Sequence, residues 1–180
     1  MKQIFIVNGM AGAGKDTFAE ILNDYVAVYK VSIIGKVKDI AQRCGWNGKS
    51  KTEKDRKFLS DLKILTDEYN DMSFSYISNK VRDFQVYKHF VGNADVMLID
   101  MRSPEDIDRA KKEFGAKTIF IENNRVKNID SNPADANVFN YTYDYIIQNN
   151  GTMEEFRKNI KNFVGDAISL PNLKEIIEEE

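Results

Sequence analysis

Gly9-Met10-Ala11-Gly12-Ala13-Gly14-Lys15-Asp16-Thr17 decides how this chain reads. An apolar run, Ile4-Phe5-Ile6-Val7, precedes it, and a segment with Phe18, Ile21, Leu22 and Tyr25 at helical spacing follows. Strand, glycine loop and helix in that order are the setting of a phosphate-binding loop. The backbone there must curl around an anion with its N–H groups inward, and residues without a Cβ take those dihedrals at least cost. A helix opening near Lys15 adds the positive end of its dipole. Lys15 then carries a mobile cation to the outer phosphates of a nucleoside triphosphate. Gly9, Ala11, Gly12, Ala13, Gly14, Lys15, Asp16 and Thr17 are therefore the expected nucleotide-binding residues.

The spacing Gly, four residues, Gly-Lys is met by Gly9 and Gly14-Lys15, but Asp16 stands where Ser or Thr would follow, and Thr17 comes one place later. In this the loop departs from the plain nucleotide-triphosphatase motif. It resembles the nucleoside monophosphate kinases, whose loop reads Gly-x-Pro-Gly-x-Gly-Lys-Gly-Thr. Ala11 takes the place of Pro, Asp16 that of the last Gly, and Thr17 matches. The ending Gly14-Lys15-Asp16-Thr17 is closer still to phage-type deoxynucleoside monophosphate kinases. The resemblance implies a three-layer P-loop kinase fold, a five-stranded parallel sheet in the order 2-3-1-4-5 with helices on both faces, and ATP and Mg2+ as cofactors.

With 180 residues, the simplest expectation is one domain with a full core. A net charge of −2 offers no broad surface for a nucleic-acid polymer or a membrane, so a polyanionic ligand needs a local cluster of cations. Cys44 and His89 are the single residues of their types, which excludes an intrachain disulfide and a multi-histidine metal centre. A reducing cytoplasm is the expected location. No run approaches membrane length and no apolar leader is evident. Whether the chain is a monomer or a homodimer stays open.

Along the chain, Lys2–Val7 reads as a buried central strand, 26–34 as a second, β-branched strand, and Val37–Cys44 as a short helix ended by Gly45-Trp46-Asn47-Gly48. Residues 51–69 and 71–86 read as amphipathic helices. Phe58, Leu62, Leu65 and Tyr69 are the expected inward face of the first, and Phe74, Ile77, Val81 and Phe84 that of the second. No strand interrupts 36–90, and the resemblance makes this helical insertion the acceptor-binding region. Val96–Asp100, Lys117–Ile121 and Tyr145–Gln148 complete the strands. Ser103-Pro104 starts a helix that ends near Phe114-Gly115. The polar stretch 122–140, with Pro133, reads as a lid-like loop. After Asn149-Asn150-Gly151 a last helix carries Met153, Phe156, Ile160 and Phe163, and a short acidic tail follows Pro171. Strands alternating with helices predict a parallel sheet covered on both faces, with ligands at the carboxyl ends of its strands.

Asp100 closes an apolar strand, where a carboxylate can orient magnesium or simply cap the next turn. Asp16 and Thr17 are the other candidates near the metal. A monophosphate acceptor is largely dianionic at neutral pH, its second pKa being about 6, and needs no general base. It needs cancelled repulsion and in-line alignment, which asks for arginines. Arg102, two residues beyond Asp100, resembles the arginine that meets phosphate in the phage-type kinases. Arg125, with Lys127, takes the lid position. Together with Lys15 these are the expected catalytic residues. Arg102, Lys36 and Arg56 are candidate acceptor contacts, although a solvated helix face accounts as well for Arg56 and a plain surface lysine for Lys36. Asn149 and the turn to Thr152 resemble the adenine-side turn of dephospho-coenzyme A kinases and deoxynucleotide kinases. Trp46, Tyr69, Phe74 and Tyr76 could stack on a base, or simply belong to the core.

The leading expectation is ATP-dependent phosphoryl transfer to a (deoxy)nucleoside monophosphate. Two others stand beside it: a kinase of another small metabolite, of dephospho-coenzyme A or phosphomevalonate type, and a nucleotide-binding module without turnover.

Overall fold

The computed structural model describes residues 2–50, 52–86, 94–126 and 138–169. His89, Lys127, Pro133, most of the lid-like loop and the acidic tail lie outside them. The strands are β1 (Gln3–Asn8), β2 (Val28–Ser32), β3 (Val96–Asp100), β4 (Lys117–Glu122) and β5 (Tyr145–Gln148). The helices are α1 (Lys15–Tyr25), α2 (Gly35–Arg43), α3 (Glu53–Asn70), α4 (Met72–Val86), α5 (Pro104–Phe114) and α6 (Met153–Ala167). All strand pairs are parallel and the order is β2-β3-β1-β4-β5, the order expected from the glycine loop.

A strand sends alternate side chains to opposite faces, and here both sets are apolar, as a sheet covered on both sides requires. Phe5, Val7, Val96, Leu98, Ile119 and Ile121 join Phe18, Leu22, Ile160 and Phe163 of α1 and α6 in one core layer. Ile4, Ile6, Met97 and Ile99 join Phe74, Ile77, Phe84 and Ile107 of α4 and α5 in the other. Burying both sets completely makes β1 the central strand, and Phe5, Ile6 and Val7 have almost no exposed surface. The register Val7 to Asp100 and Ser32 to Asp100 sets the ends of β1, β2 and β3 level at one edge. The glycine loop leaves from that edge.

Local signals fix the other ends. Ser103 accepts from the Asp106 N–H at 3.4 Å with Pro104 next to it, and Gly115 ends α5 at φ 64. Thr152 and Glu155 form a capping box on α6. β2 is shorter than the β-branched run because Val26 N–H still bonds the Leu22 carbonyl at 3.1 Å, closing α1, while Ile34 already caps α2.

The expected face of α3 is corrected. No residue of α3 is buried, and Leu65 and Tyr69 are 65% and 86% exposed. The face turned inward is Arg56, Leu59, Leu62, Lys63, Thr66 and Asp67, all half-buried. Polar contacts set the rotation of the helix. Lys63 Nζ bridges Asp67 (2.8 Å) and Asp106 of α5 (3.2 Å), and Asp67 accepts from Ser73 N–H at 2.8 Å, capping α4. Of the four apolar residues expected inward only Leu62 is, because α3 itself buries no apolar residue and polar partners orient it.

β4 and β5 meet through one polar knot. Asp144 Oδ2 accepts from Thr118 N (2.7 Å) and Thr118 Oγ1 (2.8 Å), with Lys111 at 3.3 Å, and Thr118 is fully buried. Burial works against the charged form of Asp144, but Thr118 and Lys111 together hold its pKa below the ordinary value. Asp144→Ala strands a buried N–H and is expected to cost about 1–3 kcal/mol in urea unfolding at pH 7. A folded pKa below the unfolded one means that this stability is present above the unfolded value, about 3.9, and is lost as pH falls through the folded value. The gap between wild type and variant therefore closes in acid; a gap unchanged there would contradict the carboxylate's role.

Candidate nucleotide site

The loop between β1 and α1 turns on three glycines with positive φ: Gly9 (145°), Gly12 (82°) and Gly14 (103°). Two of them also leave no room for a side chain. A Cβ on Gly9 would stand 2.7 Å from the Ile121 carbonyl oxygen, and one on Gly14 2.5 Å from Asn149 Nδ2. β4 and the turn after β5 thus press on the loop from behind. Asn149 Nδ2 donates to the Ala13 carbonyl at 2.9 Å, which joins the turn after β5 to the loop. At the loop's start Asn8, 1% exposed, accepts from Gly9 N–H at 2.8 Å and donates to the Tyr143 hydroxyl at 2.9 Å. Tyr143 in turn donates to the Val138 carbonyl at 2.9 Å. Burial pushes the Tyr143 hydroxyl up to about 12, against the opposing hydrogen bond from Asn8, so it stays protonated at neutral pH.

Gly14 is the N-cap of α1 and brings no side-chain acceptor to its first N–H groups. The first turn of a helix has donors without intrahelical partners. On α3, α5 and α6 a Thr or Ser hydroxyl takes one of them. α1 and α2 have no such cap, and both open at the carboxyl edge of the sheet. Lys15 Nζ folds back to donate to the carbonyls of Gly9 (2.6 Å) and Met10 (2.9 Å). Together these groups form a concave set of donors with one cation, suited to an oxyanion.

Asp16 and Asp100 flank a single ammonium. Lys30 of β2 pairs with Asp16 Oδ1, and its Nζ lies 3.4 Å from Asp100 Oδ2. Burial opposes the charge of Lys30, but Asp100 and then Asp16 outweigh it, and the lysine pKa is raised. Asp100 shows the reverse balance: burial raises its pKa, and the pull of Lys30 and then Lys15 offsets this only in part. Asp100 Oδ1 is buried and has no hydrogen-bond partner, a costly arrangement for a carboxylate oxygen. Among the described residues no group of three or more His, Cys, Asp or Glu could hold a metal alone. A divalent ion here would share its shell with phosphate oxygens, and the orphaned Oδ1 fits that use.

The other expected residues fall in two groups. Thr17 is half-buried in the first turn of α1, and Arg102 is half-buried just beyond β3. Arg56 lies on the inward stripe of α3 rather than on its solvated face, and Lys36 is exposed in the first turn of α2. Arg125 is exposed and donates from Nη2 to the Asn149 carbonyl at 2.9 Å, in the turn after β5. Phe74 is a core residue, stacked on Phe114 at 5.4 Å and covered by the Arg109 guanidinium. Tyr76 packs on Gly35 at the opening of α2, and Tyr69 projects outward. Lys30, Asn8 and Tyr143 are the site residues that sequence reasoning missed. Lys30 hides within a strand pattern, and the other two carry no motif.

Among the described residues no helix is long and apolar enough to cross a membrane. No protein-family model and no curated protein matches the chain. Among solved structures it is similar to a dephospho-CoA kinase from Campylobacter jejuni, at 17% identity and a TM-score of 0.49, covering 92% of this chain and 97% of that one. It is similar to a shikimate kinase from Aquifex aeolicus at 14% and 0.45, covering 93% and 100%. An APS kinase from Mycobacterium tuberculosis follows at 11% and 0.41, covering 91% and 97%. The strand order and the loop geometry of the chain itself, rather than these likenesses, define its fold.

Gly14→Ala is expected to cost about 1–3 kcal/mol of stability, from backbone strain and from the clash with Asn149. In an Asn149→Ala background the clash is gone and only the strain remains, so the two losses should be non-additive by about 0.5 kcal/mol or more. Additive losses in chemical unfolding would mean that Asn149 does not brace the loop.

Proposed function

We propose that the chain is an ATP-dependent kinase of a small phosphorylated acceptor, and that the acceptor is a (deoxy)nucleoside monophosphate. The observation that carries this reading is the uncapped start of α1 behind Gly14, with Lys15 folded over the loop and a half-buried Asp100 whose Oδ1 is buried without a partner.

On this reading the N–H groups of the loop and of the first turn of α1 hold the donor's phosphates, and Lys15 leaves the Gly9 and Met10 carbonyls for their outer oxygens. Asp16, Thr17 and Asp100 would hold magnesium, which supplies charge neutralisation at the β- and γ-phosphates. The acceptor sits between the carboxyl edge of the sheet and the insertion α2–α4, within one domain. Arg102, Arg56 and Lys36 are its candidate phosphate contacts. An acceptor phosphate oxygen forms a bond to the γ-phosphorus, the bond from that phosphorus to the β–γ bridging oxygen breaks, and ADP leaves. The acceptor dianion needs no base, so positioning and charge do the work. Arg125 braces the Asn149 turn and is the candidate for meeting the transferring phosphoryl group. Another small metabolite as acceptor is the second reading, since among the described residues no base-selective contact singles out a nucleotide.

A coupled assay of ADP release across deoxynucleoside monophosphates, with ATP and magnesium, tests the proposal. Turnover that depends on one of them is expected, and Lys15→Ala should lower it by about two orders of magnitude or more. The melting temperature of that variant should fall by only a few degrees, because two hydrogen bonds are lost. No acceptor-dependent turnover above the Lys15→Ala control would reject the proposal.

A further inference from the structure

Lys30 is the cation that the proposed reaction does not use. It sits in the middle of β2, the edge strand, opposite Leu98, and reaches over the end of β3. Its ammonium pairs with Asp16 from the first turn of α1 and lies 3.4 Å from Asp100 Oδ2. Those two carboxylates come from different elements, 84 residues apart in the chain (100 − 16), and both are candidate metal ligands. The Lys30 side chain is 26% exposed and that of Asp100 28%, so water screens this pair only in part. The other Asp100 oxygen is buried and unpartnered.

We propose that Lys30 is a metal-gating residue. Before loading, its ammonium holds Asp16 Oδ1 and Asp100 Oδ2, and a divalent ion that reaches Asp100 Oδ1 gains those two oxygens as well only as the ammonium leaves them. The inference rests on the kinase reading for the identity of the ion. The physical reason is charge. Lys30 lies between Asp16 and Asp100, and a divalent ion added beside a fixed ammonium would meet repulsion at a few ångström. A side chain on the outermost strand, with a flexible four-carbon stem, can swing aside, where a cation rooted in β1 or β3 could not. Lys30 thereby makes metal entry compete with an internal ion pair, and it keeps the metal carboxylates ordered until then.

The test is titration with Mn2+, followed by the resonance of the free ion, without nucleotide and with ADP. Lys30→Met and Lys30→Gln should bind Mn2+ about three- to tenfold tighter than wild type, the effect of one partly screened charge. Lys30→Arg keeps the charge and should stay within about twofold of wild type. Adding Asp100→Asn to Lys30→Met should cancel the gain. Metal-free ADP affinity should hold or fall in Lys30→Met, opposite in sign to the metal, whereas damage to the site would weaken both. Equal or weaker Mn2+ binding by both neutral variants overturns the proposal, and so does a gain that survives Asp100→Asn. A gain in Mn2+ affinity in a protein that binds no ADP would sustain the gate and reject the nucleotide reading.

Discussion

The turn from β1 into α1 is the constraint on which the rest of the molecule depends. It must reverse the chain over a few residues while leaving the first donors of α1 open. That requires left-handed backbone at Gly9 and Gly14, and it leaves no room for a Cβ against Ile121 and Asn149. Such a turn is not stable alone. β4 supports it through the Ile121 carbonyl, the turn after β5 through Asn149, and the aromatic segment before β5 through Tyr143 and Asn8. The central place of β1 follows, because only a strand with parallel partners on both sides can present its end to supports from both directions.

Charge is arranged with the same economy. The chain carries a net −2 and no general attraction for polyanions. The sheet edge instead brings Lys30 to both Asp16 and Asp100, with the charge of Lys15 also acting on Asp100, and leaves one Asp100 oxygen buried without a donor. A folded chain tolerates such an oxygen at a cost in stability, and functional sites are where costs of this kind collect. Within the insertion, α3 is attached mainly by polar contacts such as Lys63 to Asp106, and buries no residue, whereas α4 sinks Phe74, Ile77, Val81 and Phe84 into the core. Packing of the kind that holds α3 opens at lower free energy than the sheet does.

Much of this was legible from residue order. The glycine spacing, the two-sided apolar strands and the caps at Ser103, Gly115 and Thr152 each have a local physical cause, so element types and a parallel sheet followed, while the strand order came from the resemblance of the loop to a known family. The face of α3 was not legible. Its apolar residues Phe58, Leu65 and Tyr69 repeat at helical spacing, yet the helix is oriented by Lys63 and Asp67, whose partners lie on α5 and α4. Arg56, read as easily as solvated, came inward with that rotation. Lys30 was invisible for a similar reason. A lysine within a β-branched run has no pattern of its own, and only the pairing of β2 with β3 brings it to Asp100. Long-range partners chosen by topology, rather than by neighbours in the chain, account for what was missed.

The central claim is that the amides behind Gly14, together with Lys15, receive the phosphates of a nucleoside triphosphate. Titration calorimetry of the intact chain with ATP and magnesium addresses it most directly. Saturable heat with one nucleotide per chain, greatly weakened by Lys15→Ala, is the predicted result. Absence of any binding heat from ATP, with or without magnesium, in a correctly folded protein would contradict it.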